Sequence, residues 1–270
     1  MANGASPLFN VVLRFLTSPT PVQQAAFDSA KARWQRLIYG DVPNAFAMFP
    51  AGFCGPGTPA INEVIDDIII YVQLDAIDGR GGILGQAGPC LFRNGGTPGA
   101  GLMHFDTADV ADLIAAGQFD DVILHEMGHV LGFGTIWTDV GLLIDPVSQG
   151  GTDPHFVGPQ ALAAFDSNGG AFYSAGAKVP VENCVGIPGC GAGNYDGHWR
   201  ESVFANELMT GFIDPGANPA ERHYDGVHGR GVTAFQWSTS MRRATARTPR
   251  CHRGAVARAG ACASGRAPRS

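Results

Sequence analysis

The 270-residue chain has no apolar run long enough to cross a membrane; the longest candidate, residues 65–74, is interrupted by Asp66, Asp67 and Gln73. Its first ten residues, MANGASPLFN, lack the basic start and apolar stretch of a secretory signal, so either a signal has been removed or the protein is not exported by that route. Charged residues are scarce at 16%, and no two cysteines stand in C-x-x-C spacing, which argues against a cysteine zinc site. Hydrophobic residues, by contrast, make up 45%, enough to build a buried core and to exclude a wholly disordered protein. The 38 glycines and 18 prolines mark frequent turns.

The net charge of -6 is unevenly spread. Residues 1–219 carry 8 Lys and Arg against 22 Asp and Glu, whereas residues 220–270 carry 10 Arg against only Glu221 and Asp225. The basic segment has three Val and neither Leu nor Ile, so it cannot bury enough surface to offset chain entropy. From Arg242 onward its arginines are spread among Ala, Gly, Ser and Thr without aromatic interleaving, which argues against nucleic-acid binding. Residues 220–270 are therefore expected to be a disordered low-complexity tail or the product of a shifted reading frame. A permitted back-translation from Pro219, with one G deleted, reads Pro-Leu-Ser-Ala-Ile-Thr-Met-Ala-Ser-Met, which is apolar at helical spacing.

Coarse elements follow from residue patterning. Residues 9–16 (FNVVLRFL) read as a strand, and Thr20-Pro21 opens a helix as N-cap and first residue. Ala26, Phe27, Ala30, Trp34 and Leu37 continue that helix at near-helical spacing. Residues 44–62 read as Gly/Pro-rich loop, and residues 64–74 (VIDDIIIYVQL) as one strand buried on both faces near its middle. A glycine-rich connection leads to a short strand at 102–106, followed by a helix at 119–131 with Asp120 and Asp121 at its positive end. Beyond Gly132 the chain reads as loop with short helical pieces near 160–165 and 201–208.

Chemistry concentrates in His125-Glu126-Met127-Gly128-His129, within the helix at 119–131. Residues four apart share a helical face, so both imidazoles can reach one zinc ion, with Glu126 beside its open position as general base. Two surface histidines on a solvated helix would be the plain alternative, but the flanking residues are strongly apolar, where His-Glu-His is costly without a purpose. Gly128 inside a helix costs about 1 kcal/mol relative to Ala, which suggests close approach by another group. Gly132 falls where the HExxHxxGxxH pattern of metzincins has its glycine, yet Thr135 stands where that pattern has its third histidine. A third ligand must come from elsewhere, with His104, His155 and His198 as candidates. His198 precedes Met209 by eleven residues, in the manner of a histidine followed by a methionine turn.

HEMGHVLGFGTIW, VPVEN and HWRESVFANELMTGF together make the chain resemble the leishmanolysin-like zinc metallopeptidases of the metzincin clan, with ILGQAGP and MHFDTADVADL also fitting. In that family an insertion separates the glycine from the third histidine. The resemblance implies one catalytic zinc held by His125, His129 and His198, Glu126 as general base, and Met209 as the Met-turn residue. It implies an α+β, metzincin-like fold, with a twisted, mostly parallel sheet and the active-site helix in an upper subdomain, residues 1–132. An irregular lower subdomain, residues 133–219, would carry the third histidine and the Met-turn. The expected activity is endopeptidase cleavage of protein or peptide substrates, and the strand at 102–106 is either the place where an extended substrate adds or an internal strand of the sheet. The alternatives are another zinc amide or ester hydrolase, or an interaction protein impaired by its unusual C-terminus. Substrate-binding residues, oligomeric state and calcium sites have no signature in the sequence.

Six cysteines are present, and Cys54–Cys90 and Cys184–Cys190 are the expected disulfides, the second from its short six-residue spacing. Free buried thiols are the alternative. Disulfides point to an oxidising, extracellular or secreted setting.

Overall fold

The computed structural model describes residues 9–38, 40–205 and 207–213. The expectations for residues 220–270 lie outside them, as do Cys251 and Cys262.

A four-stranded sheet runs in the order β1 (Val11–Phe15), β4 (Ile68–Asp75), β6 (Pro98–Asp106), β5 (Gly85–Phe92). The first three strands are parallel and β5 is antiparallel, so the sheet is mostly parallel within a mixed architecture of strands and helices. Strand β4 is buried on both faces, as its run of Ile and Val requires. One face packs under two helices, α1 (Pro21–Leu37) and α3 (Phe119–Val130), around Phe27, Trp34, Phe105, Phe119 and Ile123. Thr20 caps α1 as expected, accepting from Gln23 N while the Gln23 side chain accepts from Thr20 N, a closed capping box. The Trp34 indole N–H donates to the Leu124 carbonyl at 3.0 Å, fixing α1 across α3 inside the core. A short helix, α2 (Thr107–Ala115), is capped by Asp106 and joins β6 to α3.

The other face of the sheet is covered by a hairpin of β2 (Ala45–Phe49) and β3 (Ile61–Ile65). Two sequence readings are corrected here. Residues 44–62 hold β2 and the start of β3 rather than continuous loop. The single strand expected over 64–74 is two strands, β3 and β4, because Asp66-Asp67 turn the chain. Asp67 is buried, and its carboxylate accepts from Asn10 N at 2.6 Å and Val42 N at 2.8 Å, satisfying backbone donors that a continuous strand would not meet. Strand β6 is also longer than expected and lies inside the sheet between β4 and β5. Its edges are both paired, so a substrate strand cannot add at 102–106; the edge strands of this sheet are β1 and β5, the latter concealed in the sequence by its Gly and Pro content.

Residues 133–213 form a second apolar cluster. Phe133, Trp137, Phe156, Val181, Trp199 and Met209 pack together, largely ring against ring. Around them lie a small sheet of β7 (Leu143–Ile144), β8 (His155–Phe156) and β9 (Val179–Pro180), and the helices α4 (Pro159–Phe165), α5 (Ala171–Ser174) and α6 (Glu201–Phe204). The helix expected near 201–208 stops at Phe204. Both expected disulfides are present, Cys54–Cys90 joining the 54–55 turn to β5 and Cys184–Cys190 closing a short loop. Among the described residues no helix is long and apolar enough to cross a membrane.

Candidate metal centre

Helix α3 presents His125 and His129 one turn apart, and His198 approaches them from the second cluster. The three Nε2 atoms form a near-equilateral triangle, with 2.9 Å between His125 and His129, 2.9 Å between His129 and His198, and 3.1 Å between His125 and His198. Tetrahedral nitrogen ligands about 2.05 Å from a shared zinc ion stand about 3.3 Å apart, so the spacing fits a single ion. Among the described residues this trio is one of two groups of His, Cys, Asp or Glu close enough to hold a metal.

The other nitrogen of each ring decides what the triangle can bind. His125 Nδ1 lies 2.7 Å from the Leu208 carbonyl, His129 Nδ1 2.9 Å from the Phe133 carbonyl, and His198 Nδ1 2.8 Å from the Asn194 carbonyl. A carbonyl only accepts, so each Nδ1 must carry the proton and donate it. Each neutral ring then has a bare lone pair on Nε2, and the three lone pairs face one another. Burial lowers the pKa of all three, His129 well below the ordinary histidine value and His198 to about 3, so neutral rings are the stable form. Three lone pairs at this distance repel unless a cation sits among them. The donor set therefore fits a divalent metal that prefers imidazole.

Glu126 lies between the two helix histidines and is 5% exposed. Burial pushes its carboxyl up to about 8 in the absence of a nearby positive charge. A cation held by the neighbouring imidazoles would favour the ionised carboxylate again, the form that can accept a proton.

The close approach expected at Gly128 comes from Met209 and Trp34. A Cβ at Gly128 would stand 3.0 Å from both Sδ and Cε of Met209 and 3.2 Å from the Trp34 ring. Met209 is fully buried in the second cluster, so its thioether forms the contact between that cluster and the histidine helix. The Glu207 carboxylate accepts from Met209 N at 2.6 Å and shapes the turn that offers Leu208's carbonyl to His125; burial pushes that carboxyl up to about 7.

His198 is held from both sides. Its carbonyl accepts from Glu182 N at 2.9 Å, and the next residue, Trp199, donates its N–H to Met209 O at 2.9 Å. The VPVEN segment thus acts structurally: the buried Glu182 accepts from Asn183 N and Glu201 N, both at 2.8 Å. Gly132, at φ 105°, turns the chain out of α3. Thr135 donates its hydroxyl to His129 O at 2.8 Å and closes the helix end rather than facing the triangle. The two alternative third ligands are committed elsewhere. His104 pairs with Asp75 and lies 3.3 Å from the Gln86 amide, while His155 Nδ1 lies 2.7 Å from Asp153 O.

Sequence reasoning missed Asn194, whose side chain bridges Gly191 N at 2.9 Å and Gly211 O at 3.0 Å while its carbonyl orients His198. It also missed Gly85, which lies against Glu126. Neither residue belongs to a spacing pattern that periodicity or ligand chemistry could flag.

Residues 38–219 match the family model described as leishmanolysin. Among curated proteins none matches the chain.

Proposed function

The chain belongs to the leishmanolysin family of zinc metallopeptidases, and from that membership we propose that it is an endopeptidase in which His125, His129 and His198 hold one zinc ion and Glu126 is the general base. The observation that carries the reading is the triangle of Nε2 atoms with every Nδ1 committed to a backbone carbonyl. When bound, zinc supplies Lewis acidity, which acidifies water and polarises a peptide carbonyl. Everything else is the work of the chain. The carbonyls of Leu208, Phe133 and Asn194 fix the tautomer and orientation of the rings. Glu126, kept dry, takes a proton from the attacking water and returns it to the leaving amine. Met209 and Gly128 bring the lower residues 133–219 against the upper residues 1–132, a division that is part of the same proposal.

An extended substrate adds to β5. The Leu84 carbonyl accepts from Asp106 N at 3.1 Å and so faces β6. Alternation then turns the N–H and C=O of Gly85 outward, toward the open edge. Pro89 shares that parity, and its missing N–H is tolerable only where the strand faces no neighbour. Main-chain pairing along this edge gives affinity for a polypeptide without a demanding side-chain sequence. The two disulfides support an oxidising, extracellular or surface setting.

Casein digestion with and without a chelator tests the proposal. Cleavage that chelator abolishes and zinc restores is expected. Stoichiometric zinc without cleavage of casein or any peptide would overturn the endopeptidase reading in favour of a small amide or ester hydrolase.

A further inference from the structure

We propose that Gly85 in β5 is a positioning residue for peptide hydrolysis: the missing side chain there leaves the Glu126 carboxylate its place against the sheet. This inference rests on the reading of Glu126 as general base. A Cβ added at Gly85 would stand 2.9 Å from Glu126 Oε1, 3.0 Å from Cγ and 3.1 Å from Cδ. Real Cβ atoms essentially never come closer than 3.0 Å to such neighbours, so one partner has to give way.

Backbone conformation does not demand glycine here. Gly85 is absent from the residues with positive φ, and an alanine could occupy the strand as it stands. The glycine answers a steric need instead. Three features decide which partner would yield to a methyl group. Strand β5 is laddered to β6, with Gly85 opposite Phe105, and is held at its start by the Asp106 N to Leu84 O hydrogen bond. Near its far end Cys90 is bonded to Cys54. The main chain of Glu126 is fixed in the middle of α3, between the two histidines. The side-chain torsions of Glu126 are the softest coordinates, so the carboxylate moves.

Relieving these contacts to ordinary van der Waals distance moves the carboxylate by about half an ångström; since a 1 Å misplacement can cost about a hundredfold in rate, a loss on the order of tenfold is expected, while binding through the strand edge is unaffected. Gly85 thus faces two ways. Its N–H and C=O serve the open edge, and its bare Cα serves the general base.

The test is Gly85→Ala in the full-length, zinc-loaded protein. The expected result is a kcat lowered by about tenfold or more with KM changed by less than about threefold, one zinc per chain, and an unchanged thermal midpoint. In a Glu126→Ala background, which has no carboxylate for the new methyl to displace, the same substitution is expected to change the residual kcat by less than about twofold. Crystal structures of the zinc-loaded wild type and Gly85→Ala give a readout independent of turnover: the carboxylate shifts by about half an ångström or more while the β5 main chain stays in place. An unmoved carboxylate, a displaced strand, or equal losses in both backgrounds would overturn the proposal. If the wild type cleaves no peptide, the general-base reading fails, and the crystallographic comparison still decides whether Gly85 sets the position of Glu126.

Discussion

Each of the three histidines turns its Nδ1 to a backbone carbonyl, and under the proposed roles substitutions at the histidines and at Glu126 should separate metal binding from proton transfer. Glu126→Gln keeps the triangle intact, so zinc content should stay at one per chain while casein cleavage falls by about 10²–10⁴-fold. His198→Ala leaves two ligands on one helix, so zinc measured by mass spectrometry after dialysis should fall well below one per chain. Equal zinc loss in both variants would contradict the separate roles. Much of this scale was legible. His125, Glu126 and His129 are visible because a 3.6-residue period makes positions four apart neighbours. His198 stands among three candidates beside His104 and His155, and the resemblance singles it out, since a 69-residue detour from His129 has no periodicity to follow. The carbonyls of Phe133, Asn194 and Leu208 were illegible, because every residue carries such a group and only the fold chooses which ones face a ring.

Elements were read well where one physical signal dominated. Helix α1 shows its cap, its proline and its apolar stripe, and the structure places it at Pro21–Leu37. Strand β5, GQAGPCLF, reads as connection because Gly and Pro are poor strand formers, yet an edge strand tolerates both. Residues 64–74 misled in the opposite sense: apolar content implied one strand, whereas the backbone donors that converge on Asp67 impose a turn. Helix α3 offers a test of packing against propensity. Gly128→Ala should gain about 1 kcal/mol from helix propensity. It should lose about 1–3 kcal/mol from crowding Met209 and Trp34, neither of which has room to withdraw. A fall in Tm of about 2–4 °C by calorimetry is expected, and a rise would mean that the thioether repacks at little cost.

His198 of the second cluster meets His125 and His129 of α3, so at the scale of the whole molecule the stability of metal-free protein should depend on pH. The folded-state pKa values of His125, His129 and His198 are all depressed by burial. In the unfolded chain they titrate near 6.5, so below that pH the unfolded state binds more protons and is favoured. The contribution of neutral histidines is therefore complete above about pH 6.5. It is lost progressively as pH falls toward about 3, where His198 itself protonates in the folded protein. Buried Glu126 and Glu207, pushed up to about 8 and about 7 from the ordinary 4.5, bind protons in the folded chain and oppose this trend. Thermal melts of chelated protein should therefore show Tm dropping most steeply between about pH 4.5 and 3, and a flat profile there would mean that the rings are not held neutral. Zinc-loaded protein should melt higher at neutral pH, since an ion that binds only the folded chain stabilises it by mass action.

The path between the second and third histidines leaves and returns at nearly one point. A Cβ on Gly134, which already sits at φ 71°, would collide with the Gly197 carbonyl. Backbone therefore rests on backbone where residues 135–196 begin and end. Such a segment behaves as a cassette whose terminals meet: its contents can be lengthened, trimmed or exchanged while its two attachment points stay put. Doubling a flexible loop adds only about 0.6 kcal/mol of closure cost. Variation in size can thus accumulate in this stretch, provided Trp137, Phe156 and Val181 or equivalents still prop up Trp199, without the third imidazole ever leaving its station.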